Sequence, residues 1–466
     1  MNPAQPPVIS TPARRRLAVF FKIAGICVLI ALLHIPLAMT HGVLRERQSF
    51  QTQATEEIAG LWGRQQIVTG PVLAVPYVYK AWVTHAKVVG EKVVQVGDWE
   101  LTPATAYFLP EMLAVNGKVE PEVRHRGIYD TVVYSTKLKL AGFFQPDFIA
   151  AGIRAERIDW SRAQLLFGVS DVHGVRAVGP LRSADGREAV FESVTDALLP
   201  LAAKVTGANQ GERQEFNFDA TVQGSGQLKI APVGKNTTVA LQSPWPAPSF
   251  TGAALPVART VGADGFTAEW QSAHFSRGFA QSWTDRLAKS PEVLGRITTA
   301  GFGVNFLQPV DAYSVVERAQ KYGVLFFVLV FTVCFLFEVT AALRIHPLQY
   351  ALVGAALCLF FLGFLALAEF WPTAWAYGAA AGACTLLVTA YAWNFLKTGR
   401  RTLVIGGGLA ATYGYLYFVL KSQDFALIAG TAALFAALAL VMFCTRRINW
   451  YELELAGTGK VAPAKP

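Results

Sequence analysis

Apolar stretches long enough, or nearly long enough, to cross a bilayer limit what this chain can fold into. They are residues 17–39, 323–343, 348–368, 374–396, 402–420 and 425–444. A helix needs about 20 apolar residues to span the roughly 30 Å hydrocarbon layer. One stretch sits near the start and the others crowd the last third, with a long Pro- and Gly-punctuated region between. The layout predicts a polytopic α-helical membrane protein of six spans with one large extramembrane domain inserted between spans 1 and 2. Its parts are a tail at 1–16, a first span at 17–39, the domain at 40–322, a five-helix bundle at 323–444 and a second tail at 445–466.

Charge gives the orientation. Arg14, Arg15, Arg16 and Lys22 precede or open the first stretch, and Arg344 separates the second from the third. Lys397, Arg400 and Arg401 follow the fourth, and Arg446 and Arg447 follow the sixth. The remaining joints carry Glu369, or the near-neutral pair Lys421 and Asp424. Because basic loops stay on the cytosolic side, both termini are expected there and the domain outside. The same distribution argues against nucleic acid as a partner, despite a net charge of +9 and a pI near 9.3. From 41 to 322 there are 28 basic and 27 acidic residues, leaving 13 against 5 for the membrane segments, cytosolic loops and tails. The basic excess is a topology signal, and the lipid bilayer is the expected partner.

The first stretch has the basic flank of a secretory signal, but it is longer than a signal core and no A-x-A site closes it, so an uncleaved anchor is expected. Pro36 would then fall in its last turn, where one missing backbone bond costs least. All five cysteines (Cys27, Cys334, Cys358, Cys384 and Cys444) fall inside apolar stretches, without the C-x-x-C spacing of a metal site. They read as small packing residues.

Between the membrane stretches the pattern is mainly period two. Segments 72–83, 86–96, 131–140, 215–222, 226–232 and 237–242 alternate apolar with polar residues or are rich in Val, Thr, Tyr and Phe, as half-buried strands are. Turn signals separate them at Asn116-Gly117, Asp185-Gly186, Gly224-Ser225-Gly226, Gly234-Lys235-Asn236 and Ala263-Asp264-Gly265. The expectation is an antiparallel, sandwich-like β-rich domain, in one piece or two lobes. Helical patterning is confined to Glu46–Leu61, 145–153, 194–203 and 311–322.

The sequence also resembles the CreD family of bacterial inner-membrane proteins. The motifs that carry the resemblance are HGVLRERQSF (41–50), WGRQQIVTGPVLAVPY (62–77) and NGKVEPEVRHRGIYDTVVYSTKLKLAGFF (116–144). Further ones are SPWPAPSFTGAALPVARTVGADGFTAEW (243–270), FLQPVDAYSVVERAQKYG (306–323), RIHPLQYALVG (344–354) and KSQDFALIAGTAALFAALALVMFCTRRINWY (421–451). Stretches 84–106 and 145–215 carry none of them. The resemblance implies a Gram-negative inner membrane, a periplasmic domain and a connection with envelope integrity and stress. It implies no reaction.

Catalytic patterns are not found: no H-E-x-x-H, G-x-S-x-G, G-x-x-x-x-G-K-[ST] or S-x-x-K occurs. No catalytic residue, metal or cofactor is therefore expected. Asp171 and His173 could share a metal or a proton, or form a surface loop pair. Arg124, His125 and Arg126 are the densest polar group in the domain. On a strand the two arginines would share a face and could grip a phosphate or carboxylate of an envelope component, or pair internally with Glu120, Glu122 or Asp130. Ser243–Phe250 has prolines at alternate positions and cannot be a central strand. Its Trp245 and Phe250 could meet a partner protein or glycan, or pin a connection.

Within the membrane, Glu338 is the clear carboxylate, open to a proton-relay role or to local pairing with Arg344 and His346. Gly378 and Gly382 form a G-x-x-x-G step suited to close helix packing, within the bundle or in a homodimer. The functional expectation is a non-enzymatic protein that supports the envelope by binding an envelope component or partner protein. The alternatives are a transporter using Glu338 and an enzyme acting on an envelope component.

Overall fold

A computed structural model describes residues 12–89, 92–286, 290–306, 312–340, 345–396, 398–421 and 426–446. Arg344, Lys397, Asp424, Arg447 and most of both tails lie outside these, as do the side chains of Arg14, Arg15, Arg16 and Cys444. The chain divides into two units, Met1–Phe50 with Val310–Pro466, and Gln51–Pro309.

The helices are α1 (Pro12–Trp62), α2 (Ser290–Thr299), α3 (Ala312–Lys321), α4 (Gly323–Thr340), α5 (Pro347–Ala368), α6 (Thr373–Leu396), α7 (Gly399–Lys421) and α8 (Ala426–Thr445). Among the described residues, four are long and apolar enough to cross a membrane: α1 from Phe21 onward, α5, the Thr373–Asn394 part of α6, and α7. A fifth follows if α3 and α4, bent by 47° at their junction, count as one. The expected first span and the helical pattern at Glu46–Leu61 are one continuous helix. Pro36 therefore lies in a helix interior and not in a last turn, and the Thr40 hydroxyl donates to its carbonyl at 2.9 Å.

The first unit packs on aromatic rings. Phe327 and Phe331 of α4 and Phe360, Phe361 and Phe364 of α5 are fully buried, with Tyr377 edge-on and Tyr413 tilted against Phe360. Gly354 lets α5 come close to its neighbours, because a Cβ there would lie 2.3 Å from Leu33 and 3.0 Å from Phe331. His346 starts α5: its Nδ1 accepts from Leu348 N–H at 3.2 Å, and Pro347 follows in the first turn, where its missing donor is harmless.

The second unit is β-rich. Its strands are β1 (Gln66–Val89), β2 (Lys92–Phe108), β3 (Met112–Arg126), β4 (Tyr129–Phe144), β5 (Arg157–Ile158), β6 (Gln164–Val169), β7 (Val175–Val178), β8 (Leu181–Arg182), β9 (Glu188–Ala189) and β10 (Glu192–Ser193). They continue with β11 (Leu201–Lys204), β12 (Gln214–Ser225), β13 (Gln227–Ile230), β14 (Asn236–Ser243), β15 (Pro248–Gly252), β16 (Ala258–Gly262), β17 (Gly265–Ala273), β18 (Ser282–Thr284) and β19 (Phe302–Phe306). One sheet runs β10-β11-β6-β1-β13-β19-β15, with β2 and β5 also on β1 and β18 on β2. The other runs β16-β17-β14-β3-β4-β12-β8-β9, with β7 on β12.

Alternation works as expected in β14, where Thr237, Val239, Leu241 and Ser243 point inward. The inner faces meet in one apolar cluster. Trp270 of β17 stacks on Phe302 of β19 at 5.9 Å, and Phe167 of β6 meets Phe218 of β12 edge-on at 5.3 Å.

Several expectations are corrected. The sheets are mixed and not purely antiparallel, since β1 runs parallel to β13 and β14 parallel to β3. Asn116-Gly117 is no turn. It lies inside β3, where a Cβ on Gly117 would strike Leu241 and Leu138. Segment 145–153 is a set of turns ending at Gly152 (φ +68°), and 194–203 leads through Pro200 into β11. Ala263-Asp264 does turn β16 into β17, and the Pro-rich run becomes β15 at a sheet edge, where prolines are tolerated.

Arg277 ties one end of the sandwich. It is nearly buried, and its guanidinium donates to the carbonyls of Pro232 (2.8 Å) and Gly234 (2.9 Å) and to Gln281. Burial pushes its pKa down to about 10, against the pull of Glu111, so it stays charged at neutral pH. Arg277→Met leaves these acceptors without a donor and is expected to cost about 2–4 kcal/mol of domain stability. Thermal unfolding of the full chain followed by circular dichroism in the β region would register it.

Candidate functional site

A polar cavity in the β-rich unit lies beside Gln66, the first residue of β1. This side chain is fully buried. Its Nε2 donates to the Asp171 carbonyl (3.0 Å) and its Oε1 accepts from the Asp171 N–H (3.2 Å), so the amide takes the place of a neighbouring strand. Gly174 and Gly224 make room for it, because a Cβ on either would lie 2.3 Å from its Nε2 or 2.8 Å from its Cγ. Held in this way, Asp171 caps a single 3-10 turn, Val172–Gly174.

The Asp171 carboxylate is 12 % exposed and well satisfied. Oδ1 accepts from the backbone N–H (3.0 Å) and Nδ1 (2.9 Å) of His173, and Oδ2 accepts from the Arg64 N–H (3.4 Å). Burial alone would raise its pKa, but these hydrogen bonds outweigh it and hold the carboxyl below the ordinary range. The sequence offered these two residues as a metal or proton pair or as a loop pair. The structure gives a hydrogen-bonded loop pair, and among the described residues no group of three or more His, Cys, Asp and Glu could hold a metal ion.

The cavity, about 950 Å³, opens beside this turn. Thr55 and Glu56 from the end of α1 and Asp130 and Thr131 from the start of β4 line it, and Phe306 contributes an aromatic patch. The arginine cluster lies next to it. Arg124 pairs with Glu122 (2.8 Å) and sits 4.8 Å over the Trp62 ring, Arg126 pairs with Glu57, and His125 bonds Asp130 at 2.6 Å. Thr131 donates to Thr55 at 3.2 Å, and Trp62 donates to the Tyr134 carbonyl at 3.3 Å. The cluster therefore fastens residues 55–62 of α1 to the β3–β4 hairpin. Its charges are directed at protein partners.

In the first unit, Glu338 is 11 % exposed and takes three contacts. Lys22 donates to it, Tyr350 Oη donates at 3.0 Å, and the Ile345 N–H reaches it at 3.4 Å. Lys22 also donates to the Ile345 carbonyl at 3.1 Å. The partner is thus Lys22 on α1, while His346 is engaged in capping α5 and Arg344 is outside the described residues. Glu369, which sequence reasoning placed only in a joint, is equally enclosed. It receives the Tyr313 hydroxyl at 3.3 Å and faces Arg47 at 3.5 Å.

Comparison with known proteins decides the family. Residues 18–451 match the family described as "Inner membrane protein CreD". The Escherichia coli (strain K12) protein of that name is 30% identical over 445 residues, covering 94% of each chain. This chain belongs to the CreD family. Among solved structures, an M1 zinc metallopeptidase from Deinococcus radiodurans aligns with 35% of this chain and 38% of its own at 9% identity and a TM-score of 0.19. No shared fold follows from that. The CreD match spans the Asp171 turn, which none of the motifs quoted from the sequence reached.

Elsewhere in this CreD-family chain, Trp245 and Phe250 are half-buried. Trp245 meets Phe306 edge-on at 6.4 Å, and Phe250 meets Phe266 and Trp270 at 5.7 Å. They pin the Pro-rich run to the core. Exposed aromatics of this unit include Trp82 (59 %) and Trp99 (63 %), a cross-strand pair 5.5 Å apart where β1 and β2 pair only with each other. Gly97 seats the Trp82 indole, since a Cβ there would lie 2.3 Å from it. An exposed Trp opposite another across a hairpin was the available signal. Among the described residues of this chain a Cβ on Gly378 or Gly382 meets nothing within 4 Å, and both line an apolar groove of about 650 Å³ beside α7.

Removing one member of the Lys22–Glu338 pair leaves the other charge buried alone. Lys22→Met is therefore expected to destabilise by roughly 3–5 kcal/mol, and Lys22→Met combined with Glu338→Gln to recover most of that. Melting temperatures in detergent would show it. For Asp171 the folded pKa is depressed, so its contribution is present above the ordinary carboxylate range, near pH 4, and is lost as pH falls through the folded value. Asp171→Asn is expected to be less stable than the parent at pH 7 and to converge with it on acidification, as read from denaturant midpoints across pH.

Proposed function

We propose that this protein is a non-enzymatic inner-membrane component that supports envelope integrity, with its β-rich unit in the periplasm binding an envelope component in the Asp171 cavity. The observation that carries the reading is that cavity, a concave polar site assembled from separate segments beside the buried, hydrogen-bonded Gln66. A hydrolytic role is disfavoured by the commitment of the nearby hydroxyl. Ser170 Oγ donates to the Gln65 carbonyl (2.8 Å) and accepts from the Ile67 N–H (3.0 Å), and it makes no hydrogen bond with His173 among the described residues. Transport through Glu338 is disfavoured in the same way, because Lys22, Tyr350 and Ile345 already occupy the carboxylate.

Six spans with both termini cytosolic complete the proposal. The apolar twenty residues of α8 support a sixth crossing, and the alternation of basic loops supports the orientation. A fluorescent protein fused after Pro466 should glow and alkaline phosphatase fused there should be inactive, with the reverse for fusions in the turn at Asp185-Gly186. In a strain lacking the protein and challenged with detergent and chelator, the wild-type chain should restore growth. Val172→Trp, at a 52 % exposed position on the cavity wall, should not restore it despite normal membrane levels. Full restoration by that variant would sink the assignment of the cavity.

A further inference from the structure

We infer that the cavity takes a ligand bearing a phosphate group, held between Arg64 and His173; this rests on the binding role proposed for the same cavity. The formal charges of the lining do not by themselves suggest an anion, since Glu56, Asp130 and Asp171 outnumber Arg64. What matters is which groups still have bonding capacity. Asp171 is occupied by His173 and the Arg64 N–H, and Asp130 by His125 at 2.6 Å. Arg64 is different. Its guanidinium makes no hydrogen bond among the described residues, and its nearest carboxylates, Glu56 and Asp171, are both 3.9 Å away. Five N–H groups in a fixed fork therefore remain available for hydrogen bonding, while Glu56 and Asp171 engage Arg64 by ion pairing at 3.9 Å alone.

His173 supplies the second contact. Asp171 Oδ1 engages its Nδ1, which places the proton on that nitrogen and leaves Nε2 uncommitted on a ring whose side chain is 76 % exposed. Nε2 can accept from a phosphate O–H when the ring is neutral and donate to a phosphate oxygen when it is protonated. Both side chains contact the Asp171 carboxylate and both line the cavity, so the fork and the imidazole stand at the same corner of it. A tetrahedral oxyanion with several acceptors fits this pairing. The cavity is large enough for the phosphate to carry a further organic group, from a small phosphate ester or from a lipid headgroup.

The test is calorimetric titration of the full-length protein in non-ionic detergent at constant ionic strength, with inorganic phosphate as the first probe. Saturable one-site binding is expected. It should weaken at least about tenfold in Arg64→Gln, with intermediate loss in Arg64→Lys, which keeps the charge but not the fork, and no change in the distant Arg213→Gln. Glycerol phosphate and dihexanoylphosphatidylglycerol, titrated separately below micelle formation, distinguish a small ester from a lipid headgroup by which binds more tightly. Absence of saturable phosphate binding, or binding undiminished in Arg64→Gln with its fold intact by circular dichroism, overturns the inference. If phosphate fails to bind while Val172→Trp still abolishes growth, only the ligand class is wrong. If phosphate binds and Val172→Trp restores growth, the anion site stands and the cavity's envelope role falls.

Discussion

The β-rich unit depends at one end on a single buried amide. Gln66 opens the strand that pairs with four others, yet its own side chain bonds to a turn and not to a strand. A primary amide left unpaired at such depth would be costly. Here both of its ends are matched by the backbone N–H and C=O of one residue, Asp171, and Gly174 and Gly224 provide the volume. The position of the Asp171 turn, the orientation of His173 and the opening of the cavity all follow from that match. The Tyr134 hydroxyl reinforces the same corner by donating to the Gln227 carbonyl at 2.6 Å.

Much of the architecture is legible in the sequence because its signals are local. Long apolar stretches mark membrane helices by composition alone, and alternation marks strands such as β12 and β14 by period. Strand direction is another matter. Nothing in the side-chain pattern of β3 or β14 states whether the neighbour runs parallel, so the mixed character of both sheets was hidden. Asn116-Gly117 misled for a related reason: Gly117 is small because Leu241 and Leu138 need the space, and a packing demand looks the same in sequence as a turn demand.

The site was harder to read because it is assembled from distant pieces. Asp171 and His173 were visible as a pair, but Arg64 lies 107 positions away from its acceptor and Gln66 had no feature of its own beyond being polar in an apolar run. The arginine cluster pairs in part as the sequence allowed, Arg124 with Glu122 and His125 with Asp130. Arg126 instead pairs with Glu57, which stands in the helical segment Glu46–Leu61, far from it in sequence. Glu338 stood out as a carboxylate in an apolar run, while its partner on α1 is 316 residues away in sequence.

The two acid–base pairs of the first unit have a geometric consequence. Lys22 and Arg47 both lie on α1 and face Glu338 and Glu369 respectively. Their separation along the chain corresponds to about seven helical turns, or about 37 Å, so they emerge from nearly the same side of the rod. A displacement of α1 by one residue would swing both cations about 100° away from their acids together. The first helix is in effect a bolt with two teeth. It holds one axial register or it releases at both ends at once, and small gradual slippage is not available to it.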